Sequence, residues 1–443
     1  MTYQHFCFAT EEHRKIPYVH LSLENKLSKK DKVRVWLQGA AHGDEPGGDQ
    51  AVMAFLGALD HNETLALSLL DRLEIIVVPR YNPDGVFYLQ DTFATNLDPN
   101  RDHMKLFRQQ TRDIKRELNK FSPHLALDIH EYTATRSYGR WHMGADSLFA
   151  PGRNHNIHPA IRNMSELLFS PRLRSDLAKY NITTGSYVTS TGNASLDYEP
   201  TFTEAGSDAK IGRNNVGLTQ AISFLSETRG IQLTDQHFQR RVSTGLLTIF
   251  SLLNTAWEHA EDVLTVVEEG IQETISGNRD IVVTDSPQDL PGNVTLIDLT
   301  DNSIGDRAVK YRSASPTKIE LTRSRPEAYI IPAAWPDVAA RLTWLGLEVE
   351  ELDIPFQGDV EILTVETAEL ATEYYEGAIR NKVTTNTTVK NIELPAQSFR
   401  VSTRQKNAAL LFTALEPEGI DSFVTFNIIP LSAGDEYPIF RVV

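Results

Sequence analysis

Three apolar stretches of this chain each run directly into a side chain suited to metal or proton chemistry, and that limits what the chain can fold into. VRVWLQGAA (33–41) leads into HGDE (42–45), HLALDI (124–129) into His130, and LTQAISFLS (218–226) into Glu227 of SETRG (226–230). Short apolar runs bounded by turn residues read as buried strands. In an α/β sheet the residues at the carboxyl ends of such strands converge on one crevice. His42, Glu45 and His130 then supply two imidazoles and a carboxylate, the donor set of a catalytic zinc that keeps a fourth position open. Glu227 adds a further carboxylate, suited to proton transfer.

The pattern around these segments predicts two domains, at 1–275 and 276–443. Strands are expected at 17–23, 32–39, 73–79, 124–129 and 219–226, with helices at 47–60, 63–70, 103–121 and 157–179. Such alternation predicts an α/β domain, a mixed and mostly parallel sheet flanked by helices. Residues 234–274 carry helix-period apolar positions and close that domain. Beyond 275 the texture changes to short alternating runs such as RDIVVTD, NVTLIDL and VEILTVE between turn residues. This predicts a β-rich second domain, arranged as a sandwich, with one helix near 335–345. No second metal motif stands there, and its expected role is support, a lid or partner recognition.

The ordered segments resemble the zinc carboxypeptidase family, the carboxypeptidase A type. HGDE matches that family's His-x-x-Glu, NPDG (82–85) its turn, DPNRD (98–102) its Asp-x-Asn-Arg, and IHEY and SETRG its distant His and its Glu. Each piece alone is weak, since NPDG by itself is an ordinary turn; the order over some 230 residues is specific. The resemblance implies one zinc per chain on His42, Glu45 and His130, with Glu227 as general base toward a peptide carbonyl. It further implies that Asp98 holds a zinc-bound imidazole, and that Asn100 and Arg101 receive the α-carboxylate of a peptide or protein C-terminus. Arg229 reads as support for a strand end.

The chain also departs from the family. Residues 86–97 contain no arginine to steady an oxyanion, which leaves Arg80, Arg136 or Arg140 to supply the charge. Asp44 stands where animal digestive members carry arginine. For the family's mobile tyrosine Tyr198 is the nearest match and Tyr187 the alternative. Lys210 and Arg213, in GSDAKIGRNNVG (206–217), make a basic side-chain pocket possible and hence a preference for an acidic terminal residue. Two other functions stay open: a zinc amidase or deacylase on N-acyl amino acids or cell-wall peptides, and a zinc-containing binding module with weakened catalysis.

Composition narrows the partners. The 443 residues carry 43 basic and 59 acidic side chains, a net charge of −16, which disfavours nucleic acid and anionic membranes. The single cysteine, Cys7, excludes an intramolecular disulfide framework. No apolar run approaches the roughly 18 residues of a membrane span. The N-terminus shows no basic-then-apolar signal pattern; the expected protein is soluble, either cytoplasmic or exported with its leader removed. His5, His13, His61, His155, His158, His237 and His259 form no metal-ligand spacing motif and read as surface or structural residues.

Overall fold

The computed structural model describes residues 2–23 and 31–443. The first half is organised by an eight-stranded sheet in the order Thr2–Ala9, Lys15–Leu21, Leu73–Val78, Val33–Gly39, Leu125–Thr133, Ile222–Ile231, Ser147–Pro151, Thr184–Ser186. The four central strands of that order, from Leu73–Val78 to Ile222–Ile231, are mutually parallel, and antiparallel pairs flank them. Leu73–Val78 is buried at every position, as expected of a strand covered on both faces. Helices cover the sheet. Pro46–His61 packs on Phe238–Glu258, and an N-terminal proline presets its first turn. The expected mixed α/β fold is present.

Several elements differ in extent from the sequence reading. The strands expected to stop at 129 and 226 continue to Thr133 and Ile231, so His130 and Glu227 lie within strands. The helix expected over 103–121 covers only Gln109–Phe121. The preceding segment is held in turns because the buried Asp102 carboxylate accepts the amides of Phe107 (2.9 Å) and Arg108 (3.0 Å). The stretch 157–179 is helical with one π-turn at Ser165–Phe169.

The β-rich character beyond 275 is also present, in two parts. The hairpin Ile281–Asp298/Ile304–Arg323 joins Trp141–Met143 on one side and Thr201–Glu204 on the other, in a five-stranded sheet that crosses residue 275. Residues beyond 324 form a six-stranded antiparallel sheet rather than a two-sheet sandwich. Helices take the place of the second sheet: Pro336–Trp344, where one was expected, and the almost wholly apolar Ala408–Leu415, seven of whose residues are buried. A long hairpin of this sheet, Phe356–Tyr375/Ala378–Leu394, turns at Glu376–Gly377, beside Asp98 and Phe107. Both turn residues have positive φ (46° and 90°), the geometry of a two-residue hairpin turn that follows the strand twist.

Candidate active site

The site forms where three neighbouring parallel strands end or pass. Val33–Gly39 gives way to the turn that carries His42 and Glu45; His130 and Glu227 are in register on the next two strands. The turn is fixed by close backbone contact. Gly43 rests on Gly85 of the NPDG segment so tightly that a Cβ on Gly43 would lie 1.9 Å from the Gly85 carbonyl carbon. Asn82 accepts the Gly85 amide at 3.0 Å, and Asp84 is anchored by Thr10 and Arg14 at 2.7 Å each. NPDG is therefore the bed of the HGDE turn.

His42 and His130 turn their Nδ1 atoms toward each other, 3.3 Å apart. The Glu45 carboxylate lies 2.7 Å from His42 Nδ1 and 2.9 Å from His130 Nδ1. Side-chain exposures of 14%, 5% and 0% for His42, Glu45 and His130 put these donors in a desolvated place. Their ligand atoms lie within 4.8 Å of one another, so the group could hold a metal ion. The far ring nitrogens face carboxylates. Asp98 Oδ1 is 3.1 Å from His42 Nε2, and Asp128 Oδ2 is 3.0 Å from His130 Nε2 but off-axis for a hydrogen bond. Two facing imidazole nitrogens across a carboxylate, each ring backed by a second carboxylate, fit a divalent cation with N/O preference.

Burial opposes charge on both rings, but the carboxylates prevail: Glu45 and Asp98 raise His42 to about 10, and Asp128 and Glu45 raise His130. The cavity thus favours positive charge, which a cation would supply in place of protons.

A second carboxylate layer fixes the strand ends. Glu131, next to His130, receives Arg241 through two contacts of 2.7 and 2.8 Å, plus the Gly47 amide at 2.9 Å and Thr228 Oγ1 at 3.2 Å. The Glu131 amide in turn donates to Glu45 Oε2 at 2.9 Å. The sequence reading did not single out Asp128, Glu131 or Arg241. Asp128 had a signal: it lies two residues before His130 on a strand and so projects on the same face.

Glu227 is buried beside this group. Burial and then the Glu45 charge push its carboxyl up to about 7, while the two histidines and a hydrogen bond from Tyr187 act in the opposite direction. Tyr187 is the tyrosine at Glu227. Its phenol is raised by the Glu227 charge and by burial, with Arg101 and Arg213 opposing. Its backbone is pinned, the amide donating to Phe149 O and the carbonyl accepting from Ala205, both at 2.9 Å. Tyr198 is half-buried in the segment 190–200, where its carbonyl approaches Gly139.

Asn100 and Arg101 lie on the turn Pro99–Arg101, capped by Asp98. The Asn100 side-chain oxygen accepts the Gly212 amide at 2.7 Å and so ties this turn to the segment carrying Arg213. Arg101 is within 3.6 Å of Asp98 and keeps a third of its side chain exposed (34%). Arg213 is buried; it donates to Gly206 O at 2.7 Å, and its Nε has no partner. Burial and the nearby Arg153 lower it to about 10.

Lys210 does not share that position. Its Nζ pairs with Asp208 (2.9 Å) and with the distant Asp421 (3.2 Å), so its charge is already matched. The three arginines considered for the oxyanion are engaged elsewhere: Arg80 on Asp49 (2.8 Å), Arg140 on Asp298 (2.7 Å) and Arg136 with Tyr138. Arg229 donates to Met143 O at 3.3 Å, a strand-end support. Among the histidines set aside, His158 pairs with Glu273 at 2.8 Å and His155 with Thr317 Oγ1 at 2.8 Å.

The chain is similar to known proteins. A zinc carboxypeptidase family model matches residues 8–166. Carboxypeptidase 2 of Trichophyton equinum is 46% identical over 448 residues, covering 100% of this chain and 83% of its own length. Carboxypeptidase 2 of Trichophyton rubrum is 46% identical over 450 residues, with the same coverage. A solved metallocarboxypeptidase from Burkholderia cenocepacia aligns over 58% of this chain and 64% of its own at 15% identity, with a TM-score of 0.45. The chain belongs to the zinc carboxypeptidase family. It is an enzyme of the metallocarboxypeptidase class, and the family implies zinc as the metal. Among the described residues no helix is long and apolar enough to cross a membrane.

Proposed function

We propose that this enzyme removes the C-terminal amino acid of a peptide or protein, with one zinc on His42, Glu45 and His130, and that it favours an acidic terminal residue. When bound, zinc supplies a positive charge that polarises the scissile carbonyl and acidifies water. Glu227 is the base that takes the proton and returns it to the leaving amine; a carboxyl near neutrality suits both duties. Arg101, partly exposed beside the metal group, pairs with the α-carboxylate of the substrate. Tyr187, hydrogen-bonded to Glu227 and within electrostatic reach of Arg101 and Arg213, orients the terminal residue.

The observation that carries the acidic preference is Arg213, a buried guanidinium with an unpartnered Nε and a depressed proton affinity. A substrate Glu or Asp side chain would relieve both conditions through a charge-assisted contact. Hydrolysis of a peptide library varying only in its last residue, free or amidated, with and without chelator, tests the reading. Release of acidic residues first, dependence on metal and inertness of amidated peptides are the expected results. Equal cleavage of free and amidated ends would overturn the exopeptidase assignment in favour of an amidase or endopeptidase.

A further inference from the structure

The second domain reaches the site through the tip of its long hairpin. The Glu376 carboxylate accepts the backbone amide of Asp98 at 2.8 Å, and its carbonyl accepts Lys105 Nζ at 2.7 Å. Asp98 in turn faces His42 and opens the turn that carries Asn100 and Arg101. Gly377 packs on Phe107 so closely that a Cβ there would lie 2.8 Å from the ring, and Tyr375 lies within electrostatic reach of Arg101 and Lys210. Asp421 of the same domain accepts the Lys210 amide at 2.9 Å. The tip itself is braced from behind: Asn381 donates its amide to Thr425 O and its side chain to Leu431 O, each at 2.9 Å. Both segments proposed to bind the terminal residue, 98–101 and 206–213, are thus held from the second domain.

We propose that Glu376 is a positioning residue of the substrate-carboxylate subsite, setting the Asp98–Arg101 turn so that Arg101 meets the terminal carboxylate, and that the second domain thereby governs substrate capture. This rests on the exopeptidase reading above. A charge-assisted hydrogen bond to a backbone amide is stronger than a neutral one, and its loss frees a turn that has no regular sheet to hold it. A displaced Arg101 weakens binding of the free carboxylate while Glu227 and the metal donors stay in place, so the effect falls on KM rather than kcat.

The test compares wild type with Glu376→Ala and Glu376→Gln in the full chain, on one free-acid peptide and its amide, with metal content and thermal unfolding measured in parallel. Glu376→Ala should raise KM for the free acid about tenfold and leave kcat within about threefold. Metal content and unfolding temperature should match wild type. Glu376→Gln keeps a side-chain carbonyl to accept the Asp98 amide and should recover most of the lost KM. A wild type that prefers the free acid, with an Ala variant of unchanged KM, would overturn this inference alone. So would a loss shared by kcat, metal content and unfolding temperature, which would mark Glu376 as merely structural. A wild type that treats free acid and amide alike would overturn the exopeptidase reading and this inference with it.

Discussion

Glu227 stands directly opposite His130 in the register of two parallel strands, so the proposed base and a metal-binding imidazole share one rung of the sheet. Their separation is set by hydrogen bonding between strands in the middle of a buried sheet, not by a loop. A base placed this way is held at a fixed distance from the metal donors, and fixed geometry is the condition for proximity to assist catalysis.

His130→Ala should abolish stoichiometric metal binding, because His130 is fully buried and supplies one of three donors. Elemental analysis of the purified variant checks this. Full retention would place the metal elsewhere.

Glu227→Gln should keep the metal and the fold and lose roughly 10²–10⁴-fold in turnover, the usual contribution of a general base. Single-turnover assay alongside metal analysis reads both. Activity near that of wild type would assign the proton to another group.

The acid side of the pH profile should report the same carboxyl. Glu227 is pushed up to about 7 by burial and by Glu45, and a base functions only when deprotonated. The value of kcat/KM should therefore rise with pH as Glu227 ionises and fall away below; bound zinc, being positive, draws that limb to lower pH. An acid limb that keeps its midpoint in the residual activity of Glu227→Gln would assign it to another group.

Arg213→Ala should narrow the preference for peptides ending in Glu or Asp while leaving those ending in Leu nearly unchanged. The lost contact is charge-assisted and worth about 1.5–3 kcal/mol. Competition between acidic- and apolar-ended peptides measures it. A preference for basic or aromatic ends in the wild type would remove Arg213 from the pocket.

Arg241→Ala should destabilise the protein by about 3–5 kcal/mol, since it strands the Glu131 carboxylate in a place with no solvent. Chemical denaturation checks the magnitude. The loss should exceed that of Arg80→Ala, whose partner Asp49 faces a half-exposed guanidinium.

The positions of His42, Glu45, His130 and Glu227 could be read from the sequence because apolar strand patterns and metal-donor types are both local signals. Asp98 and Arg101 followed from a short motif for the same reason. The sequence favours Tyr198 over Tyr187, whereas the structure puts Tyr187 at Glu227: the outcome depends on which residue of an irregular stretch is pinned to Phe149 and Ala205. Lys210 reads as a pocket cation because one of its two partners, Asp421, lies 211 residues away. Glu376 was invisible for the same reason, being 278 residues from the amide it holds. The length of the strands was misjudged since Glu131, Thr228 and Arg229 are polar, yet the first two are buried and paired with each other.

The hairpin of residues 281–323 has a consequence for how the protein is made. It supplies the neighbours of Trp141–Met143 and Thr201–Glu204, so those segments emerge from the ribosome long before the strands that complete them. The edges that these strands will cover must wait, unpaired, while roughly 100 to 150 further residues are synthesised, and exposed edges invite pairing with other chains. A nascent chain stalled or cut near residue 275 would carry every proposed metal donor and the base, yet be a candidate for aggregation or chaperone capture.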